Sequence, residues 1–139
     1  MGCRSVAPYV VVAAAIVDGE PPRLLAAQRS YPPPLAGMWE LPGGKVEADE
    51  DDGTALVREC REELGVEIEV GDRVGPEVPT AGADGVLRTY WARIVEGTPQ
   101  PLDHAALRWL SAAELDHLDW ITGDLPVVDA VRDGITSRP

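Results

Sequence analysis

At 139 residues the chain is the size of one ordinary domain, and its 45% hydrophobic and 26% charged residues exclude wholesale disorder. The formal net charge of −12 argues against a nucleic-acid polymer or an anionic membrane as partner. A phosphate compound remains compatible with that acidity only if divalent cations let carboxylates hold the anion indirectly.

Taken in chain order, the apolar run Val6 to Val17 is too short for a membrane span and contains Pro8. It lacks the charged start and cleavage pattern of a signal peptide. The opening Met-Gly-Cys has Val6 where a myristoylation signal wants Ser or Thr. Cys3 and Cys60 give neither a disulfide framework nor a metal-ligand spacing, so free thiols in a reducing, cytoplasmic setting are expected. Tyr9 to Val17 reads as a buried strand and Arg23 to Gln28 as its returning partner, with Asp18-Gly19-Glu20-Pro21-Pro22 as the turn. Ser30 to Gly37 is a proline-rich loop, and Trp39-Glu40-Leu41 a short strand leading into Pro42-Gly43-Gly44. A helix is expected over Thr54 to Leu64 with Gly65 as its C-terminal stop. Val66 to Val70, Gly85 to Ile94 and Leu107 to Leu110 read as strands. Ser111 and Glu114 have capping-box spacing for a short helix, and a last helix runs from Leu125 to Arg132 with Pro126 in its first turn. The pattern predicts an α/β (α+β) fold in one domain over 1–139, with a mixed sheet between helices on both faces.

The segment from Gly44 to Val66 carries the chemistry. On a helix, Leu56, Val57, Cys60 and Leu64 share one stripe able to pack on a sheet. Glu59, Glu62 and Glu63 share another, roughly 120° away. Three carboxylates so close repel one another unless something compensates them. Arg58 and Arg61 flank the cluster, and a glycine-rich loop precedes it. Converging oxygen ligands suit Mg²⁺ or Mn²⁺, and glycine lets a backbone carbonyl approach.

This segment resembles the Nudix box, G-x5-E-x7-R-E-U-x-E-E-x-G-U with U apolar. Gly44, Glu50, Arg58, Glu59, Glu62, Glu63 and Gly65 fill its fixed positions, and Cys60 and Val66 its apolar ones. The resemblance implies an α/β/α sandwich and a metal-dependent hydrolase. Glu59, Glu62, Glu63 and the Gly44 carbonyl would bind Mg²⁺ or Mn²⁺. Arg58 would orient the carboxylates by ion pairing, and Glu50 would support the loop or helix from behind. A carboxylate would take the proton from an attacking water, and which one is left open.

Flanking stretches extend the resemblance to the MutT and CTP-pyrophosphohydrolase branch: AAQR at 26–29, WELPGGK at 39–45, DHAALRW at 103–109 and DWITGDLPV at 119–127. The implied substrate is a nucleoside triphosphate, cut to a monophosphate and diphosphate in nucleotide-pool sanitation and hence DNA repair, by a monomer or homodimer. Arg29 would reach the substrate. Asp103, where relatives carry a Glu, would be a further metal ligand, a base, or an ordinary loop carboxylate. Asp124 would read the base, cap the last helix, or both. An ionised Asp accepts equally from the cytosine amine of dCTP, 5-methyl-dCTP or CTP and from the N1–H and 2-amino group of 8-oxo-dGTP. Trp39 and Trp120 would line the base pocket or sit in the core, and His104 and His117 read as structural or exposed. Two alternatives remain: cleavage of ADP-ribose or another nucleoside-diphosphate compound, whose Pro or Tyr marker would fall near Gly82 and Asp84, and a non-catalytic nucleotide-sensing module.

Overall fold

The computed structural model describes residues 9–80 and 85–137. Cys3, Gly82, Asp84 and the start of the first apolar run lie outside the described residues. Strand β1 (Val10–Asp18) forms the spine of a mixed sheet. Its run of Val, Ala and Ile is buried on both faces: Val12, Ala14 and Ile16 face one side, Ala13 and Ala15 the other. β7 (Val86–Glu96) lies parallel to β1 in register from Val10↔Val86 to Ile16↔Ala92. β5 (Glu67–Arg73) and the short β6 (Val78–Pro79) pair antiparallel with β7.

On its other edge β1 changes partner. Its first half pairs with β4 (Gly43–Lys45), while Val17 and Asp18 pair with β2 (Arg23–Gln28). β2 in turn carries β3 (Trp39–Glu40) and β8 (Ala106–Leu110). Helix α1 (Asp52–Leu64) covers one face of the sheet with Ala55, Leu56, Cys60 and Leu64. Helix α2 (Leu125–Ser137) covers the opposite face with Val127, Val128, Val131 and Ile135, beside Trp91, Leu115 and Trp120. The expected mixed sheet between helices is therefore the observed architecture.

The boundaries show where local signals were misread. α1 begins at Asp52 rather than Thr54, because Asp51 is its N-cap and accepts from Thr54 N at 2.7 Å. Gly65 ends α1 in the left-handed conformation (φ 72°), its N–H bonded to Arg61 O. Ser111 N donates to Glu114 Oε1 at 2.8 Å, completing the capping box, but the segment it opens, Ala112–His117, is a 3₁₀ turn. α2 runs past Arg132 to Ser137. β4 and β6 consist of residues that signal turns, Gly-Gly and Val-Pro, and become strands only because β1 and β7 offer them open edges. No helix among the described residues is long and apolar enough to cross a membrane.

Candidate active site

A cavity of about 440 Å³ opens beside the point where β1 exchanges β4 for β2. Its volume is in the range of small-molecule sites. One end is built by α1 and β4. Glu59 and Glu63 project from α1 toward Gly43 and Gly44, and Glu63 Oε1 accepts from Gly43 N at 3.3 Å. A side chain at 44 would overlap the Glu59 carboxyl, and one at 43 would overlap Val12 O. Glycine is thus required at 43, where the obstacle is backbone, and a Cβ at 44 would displace the Glu59 carboxyl from the strand. Burial first, and then the charge of Glu59, push the Glu63 carboxyl up to about 9.

Arg58 organises this end. Its Nε donates to Glu50 Oε2 at 2.9 Å and its Nη2 to Glu50 Oε1 at 3.0 Å, a two-pronged pair. Nη2 also donates to Lys45 O at 3.0 Å. Nη1 reaches Glu59 Oε2 at 3.0 Å and Glu62 Oε1 at 3.4 Å. Glu50 also accepts from Glu47 N at 2.9 Å. Hydrogen bonding to Arg58, with that backbone bond, holds the Glu50 carboxyl down at about 2.

The three carboxylates do not all meet in this structure. Glu59 and Glu63 meet at the glycines, but the Glu62 side chain is 61% exposed and turned to Arg58. Among the described residues no group of three or more His, Cys, Asp or Glu stands in metal-ligating geometry. The cause is electrostatic: like charges separate, and the nearby guanidinium gives Glu62 a partner. Glu59 and Glu63 nonetheless fit a divalent cation. Two oxygen donor groups are crowded onto a backbone cradle that any Cβ would fill, and the buried one is raised by its neighbour's charge.

The opposite wall is assembled from distant segments. Trp39 and Glu40 point to opposite sides of β3. Glu40 enters the cavity and binds Arg29 Nη1 at 3.1 Å and His104 Nε2 at 2.9 Å. The His104 side chain is only 4% exposed, and its Nδ1 is buried without a partner among the described residues. Asp124 completes the wall, with Oδ2 accepting from Leu41 N at 3.3 Å. Burial, then the charge of Glu40, push its carboxyl up to about 7. No side-chain bond caps α2 here. Asp124 closes a 3₁₀ turn (Thr122–Asp124) with its own N–H on Ile121 O, so it lacks the extended conformation of a cap.

The structure thus brings Arg29, Gly44, Glu63, Asp103 and Asp124 to one cavity. Asp103 is exposed on a loop held by Leu102 N to Glu63 O and Ala105 N to Gln28 O. Trp39 is not brought there. It lies in the core at 8% exposure, in the same cluster as Trp120, as the alternation that sends Glu40 inward requires. Trp120 is likewise core, its Nε1 donating to Leu115 O at 2.6 Å. Sequence reasoning missed Glu40 and His104. Alternation along β3 could have found Glu40; nothing local marks His104, whose role depends on Glu40 across the cavity. His117 is exposed, as expected.

Comparison with known proteins gives a consistent picture. "Putative 8-oxo-dGTP diphosphatase 2" of Mycobacterium tuberculosis (strain ATCC 25618 / H37Rv) is 50% identical over 118 residues, covering 83% of this chain and 82% of that protein. "CTP pyrophosphohydrolase" of Escherichia coli (strain K12) is 37% identical over 131 residues, 94% of this chain and 96% of that one. The crystal structure of a MutT NUDIX hydrolase from Burkholderia pseudomallei superposes with a TM-score of 0.74 at 32% identity, covering 89% of this chain and 98% of that one. The NUDIX domain model matches residues 8–131, and the chain belongs to the NUDIX domain family.

Proposed function

We propose that the chain is a nucleoside triphosphate pyrophosphohydrolase, converting a triphosphate and water to a monophosphate and diphosphate. Its substrates are the cytosine nucleotides dCTP, 5-methyl-dCTP and CTP, 8-oxo-dGTP, or both kinds, in nucleotide-pool sanitation. The observation that carries this reading is the Glu59–Glu63 pair pressed onto Gly43 and Gly44 at one end of a nucleotide-sized cavity. The names of the relatives at 50% and 37% identity point the same way.

Glu59, Glu62, Glu63 and the Gly44 carbonyl would hold Mg²⁺ or Mn²⁺. When bound, the ion neutralises phosphate charge and acidifies a water. The chain's own residues supply the rest. Arg58, anchored by Glu50, fixes the helix face from which Glu59 and Glu62 project. Asp103 reaches the cavity from an exposed loop, where it can accept a proton from the attacking water or join the ion's ligands. Arg29 extends toward the substrate from the end of β2, backed by Glu40. Asp124, balanced between its two protonation states near pH 7, meets the edge of the base. Ionised, it only accepts; protonated, it also donates. Both cytosine and oxidised guanine offer it partners.

The test is kcat/KM for dCTP, 5-methyl-dCTP, CTP, 8-oxo-dGTP, dGTP and ADP-ribose, with and without Mg²⁺. Expected is diphosphate release that requires the ion, led by a cytosine nucleotide or 8-oxo-dGTP. Preference for ADP-ribose would overturn the substrate class. Tight nucleotide binding with no turnover of any compound would make the chain a sensor.

A further inference from the structure

We propose that Tyr31 stacks on the nucleobase of the bound nucleotide, acting as a base-tolerant clamp at the cavity mouth; this rests on the nucleotide reading above. A planar base gains most from an aromatic face, and that gain is similar for every base. Among the described residues lining the cavity, Tyr31 is the one Phe, Tyr or Trp side chain. The tryptophans expected to serve, Trp39 and Trp120, are committed to the core. Tyr31 is 56% exposed, so its ring is open to a ligand in the cavity.

The loop that carries Tyr31 is built to present it. Arg29 N donates to Met38 O at 2.8 Å and Gly37 N to Arg29 O at 2.9 Å, pinning the two ends together. Inside, Leu35 N and Ala36 N both donate to Pro32 O, at 2.8 and 3.0 Å. Pro32, Pro33 and Pro34 follow the tyrosine directly, and their fixed φ angles reduce the entropy lost when a ligand orders the loop. Arg29 backs the ring. Its Nε donates to Tyr31 O at 3.0 Å, and its guanidinium lies 5.7 Å from the ring centroid. Glu40 holds the same guanidinium from inside the cavity. A base stacked on Tyr31 therefore meets a ring whose position is set by the same ion pair that forms the inner wall. Division of labour follows: Tyr31 grips the face of any base, and Asp124 contacts its edge.

The experiment compares wild type, Tyr31→Ala and Tyr31→Phe in two assays. One is calorimetric binding of CMP, 8-oxo-dGMP and inorganic diphosphate; the other is steady-state turnover of the corresponding triphosphates. Tyr31→Ala should weaken both monophosphates about tenfold and to the same degree, leave diphosphate binding unchanged, and raise KM while sparing kcat. Tyr31→Phe should match wild type, because the ring and not the hydroxyl does the stacking. Unchanged monophosphate affinity in Tyr31→Ala overturns the proposal. So does an equal loss for diphosphate, or failure of Phe to restore binding. If wild type turns over no nucleotide, the catalytic reading falls, and the monophosphate titrations still decide the role of Tyr31.

Discussion

The two ends of the cavity treat their acidic residues in parallel ways that serve different ends. Near α1, Arg58 gives its two-pronged grip to Glu50 and holds it ionised, with the carboxyl at about 2. Glu63, deeper in, has one backbone N–H and the neighbouring charge of Glu59, and is pushed to about 9. On the far wall, Glu40 receives both Arg29 and His104. Asp124, beside it, has one backbone N–H and is pushed to about 7. In each place the protein's own donors satisfy one carboxylate, which becomes a scaffold, while a second is buried with too few partners. A buried acid in that condition is costly unless a ligand meets it. A cation suits the α1 end, where two acids share one spot; a base edge suits the single carboxyl of Asp124.

The largest effect should come from breaking the α1 end. Glu63→Gln keeps shape and removes the acid that must ionise to hold a cation. Turnover should fall by at least about a hundredfold, while the melting temperature in chelator rises, because an amide replaces an acid crowded by Glu59. A fall in melting temperature would show that Glu63 is a structural carboxylate. Arg58→Lys removes the planar fork that holds Glu50. Manganese affinity, read by titration, should weaken by roughly ten- to a hundredfold. Unaltered affinity would mean that the Arg58–Glu50 scaffold does not govern the metal-binding face.

The contrast also explains what could be read from the sequence. The α1 end is local: Gly44, Glu50, Arg58, Glu59 and Glu63 lie on one loop and one helix, so spacing and helical period place them together. What spacing could not supply was rotamer choice, and Glu62 turned to Arg58 instead of joining its neighbours. The far wall draws on β2, β3, the loop before β8 and the turn before α2. Its geometry depends on long-range pairing such as Gln28↔Trp39 and on the bond from Leu41 N to Asp124. Local cues there left Asp124 open between base reader and helix cap and Trp39 open between pocket and core, while the sheet put Trp39 in the core and Glu40 in the cavity. β4 was hidden for the same reason: Gly43 and Gly44 form a strand only because β1 provides an edge.

Asp124→Ala should sharpen the comparison at the other end. The ratio of kcat/KM between cytosine and guanine nucleotides should shift by about tenfold, the size of one hydrogen bond to a charged group, with the ion requirement unchanged. An unchanged ratio would leave Asp124 as a partner for Leu41 N and nothing more.

The smallest effect is on stability against pH in the absence of divalent ions, and it separates Glu63 from Asp124 by position and Glu50 from both by sign. Glu63 and Asp124 titrate higher in the folded chain than their ordinary 4.5 and 3.8. The folded state therefore keeps protons that the unfolded chain releases. Their contribution is complete below those ordinary values and is lost as pH rises, through about 7 for Asp124 and about 9 for Glu63. Glu50 has the opposite sign: its contribution is present above 4.5 and disappears as pH falls toward about 2. In chelator the melting temperature should thus fall on both sides of a mildly acidic maximum. Added Mg²⁺ should remove Glu63's share, the loss that runs on to about 9, because a cation favours ionised Glu63, and leave Asp124's share, which ends at about 7. Asp124→Asn should remove that share and spare the rest. If magnesium and Asp124→Asn erase the same portion of the curve, the two carboxylates belong to one electrostatic unit and the division between the ends is wrong.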